Sequence, residues 1–225
     1  RWLAMLPRDI VLSNGQLCLL SASTSVAKGE GEQALIWLKF ADQAVAELTG
    51  TEQPVRFETK ALRSILVTSD MDGALADADQ AYEGLPAGRW HALACLSRGL
   101  LSFVRGDDAV ALELLEEGAI EARLVGASTI EAQCCGALGF AYAGTGEWTL
   151  ARSMARRARL QVSENGLDLV PTLVLCTATS AWVEAHSGNP EAARADILLT
   201  RRNLAYIDKV TSWLSIAARI ALAEA

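Results

Sequence analysis

One spacing recurs five times along this chain. After each of Gly29, Ser69, Gly106, Gly146 and Gly188, mostly small residues follow at offsets of 5, 9 and 12. They are Ala34, Leu38 and Ala41; Ala74, Ala78 and Ala81; Ala111, Leu115 and Gly118; Ala151, Ala155 and Ala158; Ala193, Ile197 and Thr200. The five leading residues stand 40, 37, 40 and 42 positions apart. On an α-helix those offsets fall on one stripe, and small side chains there let two helix backbones approach closely. A single hairpin of such helices cannot bury both of its faces, whereas a stack of hairpins can. The pattern therefore predicts an all-α, right-handed superhelical solenoid of about five helix pairs plus a trailing helix.

Punctuation residues place the helices. Gly50, Gly84, Gly126 and Gly166 read as the glycines that close the second helix of successive units. Asn189-Pro190-Glu191 reads as a cap, a first-turn proline and an acidic first turn, Asp70 and Asp107 sit at equivalent entries, and Ser128-x-x-Glu131 reads as a capping box. Pro54, Pro86 and Pro171 fall near the links between units. The resulting pairs are 14–28 with 31–48, 54–68 with 71–83, 89–105 with 107–124, 128–144 with 147–165, and 171–187 with 190–206, followed by a helix over 208–225. As one domain the units run over about 1–50, 51–87, 88–126, 127–168, 169–207 and 208–225. Under this frame, Gly146→Leu is expected to unfold the fourth joint.

Composition agrees with the frame and excludes several functions. The 225 residues are 51% hydrophobic but only 6% aromatic, as expected when alanine and glycine occupy the crossings. A formal charge of −7 argues against gripping nucleic acid by its phosphates. No uninterrupted apolar run of about 18 residues exists, so no membrane span is expected. Cys18, Cys95, Cys134, Cys135 and Cys176 are odd in number and irregular in spacing, and His91 and His186 lie far apart. Free buried thiols in a reducing cytoplasm are the expectation, with no disulfide framework and no metal site. No catalytic constellation is present and the chain is not expected to be an enzyme. His91, beside Trp90, reads as a capping or packing residue. Gly29-x-Gly31-x-x-Ala34 mimics a dinucleotide loop but follows a helical segment, not a strand. Because the chain opens on Arg1 and stops in the helix-forming Ala221-Leu222-Ala223-Glu224-Ala225, it is expected to be a piece of a longer protein.

The joint pattern resembles the tetratricopeptide repeat. Its best unit is Cys135-x-x-Leu138-Gly139-x-x-Tyr142-x-x-x-Gly146 followed by Ala151 and Ala158, with Cys135 where the repeat has tryptophan, and Ala81 with Pro86 matches the repeat's closing pattern. The units exceed the repeat's usual length of about 34 residues. This longer form is similar to the sensor region of MalT-like regulators, the large ATP-dependent members of the LuxR family. The likeness rests on Trp2-Leu3-x-x-Leu6-Pro7, Leu17-Cys18-Leu19-Leu20-Ser21-Ala22, Ala27-Lys28-Gly29 and Ala34-Leu35-x-Trp37-Leu38-x-x-Ala41, with Gly15 near where many relatives carry proline.

The resemblance implies a sensing and oligomerisation domain, with an ATPase module before it and a helix-turn-helix after it in the parent. ATP would bind only in the upstream module, so no cofactor is expected in this chain. The implied partners are a small-molecule inducer or a regulatory protein, with self-association, and without nucleic-acid or membrane contact. The alternative is a generic tetratricopeptide scaffold that binds a protein or peptide. In that repeat family the concave face is lined by positions 13, 10, 6, 3 and 2 residues before each joint. Carried over, these are Arg56 and Arg63, then Leu93, Leu96, Leu100 and Phe103, then Gln133 and Phe140, then Trp182 and His186. Phe103, Phe140 and Trp182 either line a groove or pack within the superhelix, and the apolar third unit is expected to be covered on its inner face. Arg152, Arg156, Arg157 and Arg159 read as a solvated basic face, or one that meets an acidic partner.

Overall fold

The computed structural model describes residues 5–46, 53–66, 70–207 and 212–225. Trp2, Leu3, Gly50 and Ser69 lie outside them. Twelve α-helices and no strands are found among the described residues. A short lead-in, α1 (Arg8–Leu12), precedes five hairpins: α2 (Gly15–Ala27) with α3 (Gly31–Ala46), α4 (Gln53–Ile65) with α5 (Met71–Gly84), α6 (Arg89–Arg105) with α7 (Asp108–Leu124), α8 (Ser128–Gly144) with α9 (Trp148–Glu164), and α10 (Val174–His186) with α11 (Pro190–Ile207). The last helix, α12 (Ser212–Glu224), packs on α10 as the first helix of a further unit would. The chain is thus an all-α helical-repeat solenoid.

The joints close by one backbone device. At Gly29, Gly106, Gly146 and Gly188 the chain enters the left-handed region, and the N–H that follows each returns to the carbonyl five residues before it at 2.8–2.9 Å. Gly126 and Gly166 repeat the device between units. This satisfies carbonyls that a helix end leaves unpaired. Gly84 departs from the expectation. It is the last residue of α5 and not a left-handed cap. It is small because a methyl there would meet the Phe57 ring at 2.5 Å.

The caps hold in part. Asp70 accepts from the Gly73 N–H at 2.9 Å. Asp107 makes no side-chain cap bond. The capping box fails as well: Ala127 is the cap of α8, Ser128 is already helical, and the Glu131 carboxylate turns inward to Arg157. The expected start of α10 at 171 is a tighter 3-10 turn over Pro171–Leu173.

The repeated stripe is the core. Ala34, Leu38, Ala41, Ala78, Ala81, Ala111, Leu115, Ala151, Ala155, Ala158, Ala193 and Thr200 are all buried, while Ala74 and Ile197 are half-buried. First helices touch through small residues too. A methyl on Gly136 of α8 would lie 2.8 Å from the Cys176 Sγ and 3.0 Å from the Cys176 Cα of α10. A methyl on Gly118 of α7 would lie 3.0 Å from the Cys95 Cβ and 3.1 Å from the Cys134 Sγ. All five cysteines are free and buried, as their small size at these crossings allows.

The solenoid is wound tightly enough for its first unit to reach its fifth. A methyl on Gly29 would lie 3.1 Å from the Tyr206 carbonyl oxygen of α11 and 3.6 Å from the Pro171 ring.

Gly146 has nothing within 4 Å of a methyl, so Gly146→Leu meets only the left-handed backbone penalty and does not unfold the joint. Its expected cost is about 1–2 kcal/mol. Gly136→Val must push α10 away and is expected to cost about 3 kcal/mol. Urea midpoints measure both, and equal losses would contradict the close-approach account.

Candidate functional site

The starts of α6 and α8 come together with the 3-10 turn that precedes α10. There they enclose a cavity of about 810 Å³. Its walls are Leu20 and Val26 of α2, Leu62 and Ile65 of α4, and Leu93 of α6, with Val170 before the 3-10 turn. Trp90 adds an aromatic wall. The polar groups sit at the helix starts: Arg89 on α6, Ser128, Thr129 and Gln133 on α8, and Thr172. Gln133 Nε2 donates to the Thr172 carbonyl at 3.3 Å, which joins the two rims. Arg89 is exposed and has no ion-pair partner among the described residues. The first turns of α6 and α8 and the Arg89 guanidinium stand on one side of the cavity, and the last turns of α2 and α4 on the other.

Beneath the cavity lie Leu96, Leu100 and Ile65, with Leu214 of α12 against them. Leu214 of the chain's own last helix thus meets part of the apolar inner face of the third unit, while Leu93 remains open to the cavity.

The expected groove residues divide into three groups. Gln133 and Leu93 line the cavity. Phe103, Phe140 and Trp182 form a ladder across α6, α8 and α10, edge-to-face at the first step and tilted at the second, with centroids 5.9 Å apart at both. Trp148 of α9 extends it, and stacks on the exposed His186 at 3.4 Å between centroids. Their rings are mutually engaged at the far ends of the first helices. Arg56 is exposed, whereas Arg63 is taken up by two second helices: it donates to Asp42 at 2.5 Å and to Asp77 at 2.6 Å.

Lys60 donates to the same Asp77 at 2.7 Å. Burial pushes the Asp77 carboxyl up, but the hydrogen bonds and charges of Arg63 and Lys60 more than reverse this and hold it below the ordinary range. Burial likewise pulls Arg63 down and its two carboxylates outweigh it, leaving its pKa raised.

The basic face on α9 is largely spoken for. Arg157 binds the buried Glu131 at 2.6 Å. Arg159 meets Asp196 at 3.1 Å and Asp168 at 3.4 Å. Arg152 donates to Ser187 at 2.8 Å. Arg156 alone of the four is exposed without a partner among the described residues.

The structure also assembles a cluster that the sequence reading passed over. His91 and Cys95 stand one helical turn apart on α6, and Glu121 faces them from α7. The His91 Nδ1 lies 2.6 Å from a Glu121 oxygen and 3.6 Å from the Cys95 Sγ. Both neighbours share one ring nitrogen, so the trio is not a nucleophile–base–acid relay, which needs one partner on each nitrogen. The sequence signal was His-x-x-x-Cys on a helix, and its acidic partner comes 26 residues after Cys95.

With this geometry in hand, comparison with protein-family models, curated proteins and solved structures gives no match.

Two outcomes test the ionic network. A carboxyl with a depressed folded pKa stabilises above its unfolded value, about 3.9, and that stability is lost as pH falls through the folded value. Stability of the wild type is thus expected to drop below about pH 4, and Asp77→Asn removes part of that slope in pH-dependent urea titrations. Arg157→Met leaves Glu131 buried without its partner and is expected to cost about 3 kcal/mol in the same measurement.

Proposed function

We propose that this chain is a ligand-sensing regulatory domain of the MalT-like kind, and that its ligand is a small, mostly apolar molecule with one anionic or acceptor-rich end. The cavity carries this reading. Its volume of about 810 Å³ falls in the range of small-molecule sites, about 300–1,000 Å³. Its apolar walls would hold the body of the ligand, while Arg89 and the starts of α6 and α8 would favour a carboxylate or similar group. Because α2, α4, α6 and α8 all contribute walls, an occupant would tie separate units together. That is what a domain needs if it is to convert binding into a change of assembly. ATP turnover and DNA contact would belong to other modules of the parent protein.

A scaffold that docks a protein partner is the second reading. It rests on the outer faces of α7 and α9. There Val110 and Ile120 in one unit, and Leu150 and Leu160 in the next, occupy matching repeat positions and are all exposed.

A thermal-shift screen of carboxylate-bearing metabolites separates the two. A ligand that binds only the native state raises Tm. Leu20 lines the cavity from a part-exposed position, so Leu20→Trp is expected to fill it with little change in the free protein's Tm and to abolish the shift. Arg89→Ala is expected to weaken binding about tenfold. The sensor reading is rejected if no metabolite shifts Tm while a peptide or protein partner binds the wild type and Leu20→Trp equally.

A further inference from the structure

The cluster on the third hairpin brings three different ligand types to one point. The His91 Nδ1, the Cys95 Sγ and the Glu121 carboxylate all lie within 4.8 Å of one another. In a tetrahedral zinc site, bonds of about 2.0–2.1 Å to nitrogen and about 2.3 Å to sulfur place those two atoms about 3.5 Å apart. Here they are 3.6 Å apart before any ion is considered. The carboxylate needs a smaller change: the nitrogen and oxygen, now hydrogen-bonded at 2.6 Å, must part by about 0.7 Å to reach the tetrahedral edge. Glu121 sits on a neighbouring helix, and its other oxygen accepts from the Gly88 N–H at the start of α6, which fixes its orientation.

Surroundings favour a cation. Cys95 is fully buried, whereas the His91 and Glu121 side chains are 15% and 13% exposed, so the site is closed at its back and reachable at its front. Glu117 adds a second carboxylate nearby, held by the Tyr82 hydroxyl at 3.0 Å. Arg98, on the same helix, is engaged by Asp79 at 2.7 Å and lies over the Tyr82 ring.

We infer that His91, Cys95 and Glu121 form a three-ligand site for a divalent transition metal of borderline softness, Zn2+, with a fourth position left for water. A nitrogen, a thiolate and a carboxylate together suit Zn2+ better than Mg2+ or Ca2+, which take oxygen. On binding, the Cys95 thiol gives its proton to solvent, and the imidazole passes from the Nδ1–H form to the Nε2–H form, freeing the Nδ1 lone pair. The ion would clip α7 to α6 within the third hairpin. The ligand cavity takes no part in this site.

Cobalt titration of the full chain, after stripping by a chelator, reads the ligands directly. The wild type is expected to bind one equivalent of Co2+, with tetrahedral visible absorption and a thiolate-to-cobalt charge-transfer band, and Zn2+ is expected to displace it and raise Tm. Cys95→Ser is expected to lose the charge-transfer band. Glu121→Gln keeps an acceptor for the Gly88 N–H and should fold, so it serves even where Cys95→Ser does not; it is expected to weaken binding at least about tenfold. No charge-transfer band in the wild type overturns the inference. So does a band that persists in Cys95→Ser, or binding unchanged in Glu121→Gln.

Discussion

At Gly136 one helix backbone lies so near Cys176 of the next that a methyl would meet its Cα at 3.0 Å. Close approach of this kind sets the rest of the structure. It fixes which residues can stand at a crossing, and therefore why the chain is rich in alanine and poor in aromatics. It leaves five thiols in the core, because cysteine is small enough for such contacts and apolar enough to be buried. It also keeps α6, α8 and α10 side by side, so that the starts of α6 and α8 share the cavity and the aromatic residues near the ends of the three helices meet in a ladder. The cavity and the Phe103–Phe140–Trp182 ladder are the two ends of that single arrangement.

The architecture was legible because it is periodic. Each stripe at offsets 5, 9 and 12 repeats the same packing problem, and five copies fix the period even where one copy is degenerate. Individual ends were less legible. Ser128-x-x-Glu131 has the residues of a capping box, yet a buried ion pair with Arg157 claims the glutamate. Nothing within four residues of Glu131 announces a partner on the following helix. Gly84 has the sequence look of a cap and owes its size to the Phe57 ring instead. In both cases a tertiary contact outweighs a local signal.

The candidate site divides along the same line. Positions counted back from a joint reach Gln133 and Leu93, which line the cavity, since that count depends only on the repeat. The same count could not foresee that Arg63 would be drawn to Asp42 and Asp77 on two second helices. Nor could it supply the α2 wall of the cavity, because α2 reaches the start of α10 only through the tight winding of the whole chain. His91 and Cys95 were readable as neighbours on a helix, but Glu121 joins them through the hairpin turn.

The contact of Gly29 with Tyr206 has a further consequence. In an open array of repeats, stability is a sum of local terms and either end can peel away unaided. Here the first joint touches the eleventh helix at Gly29 and Tyr206, so the first unit has a neighbour four units along the chain as well as the one beside it. A bulkier residue at Gly29 would therefore strain a contact between distant units rather than a local one.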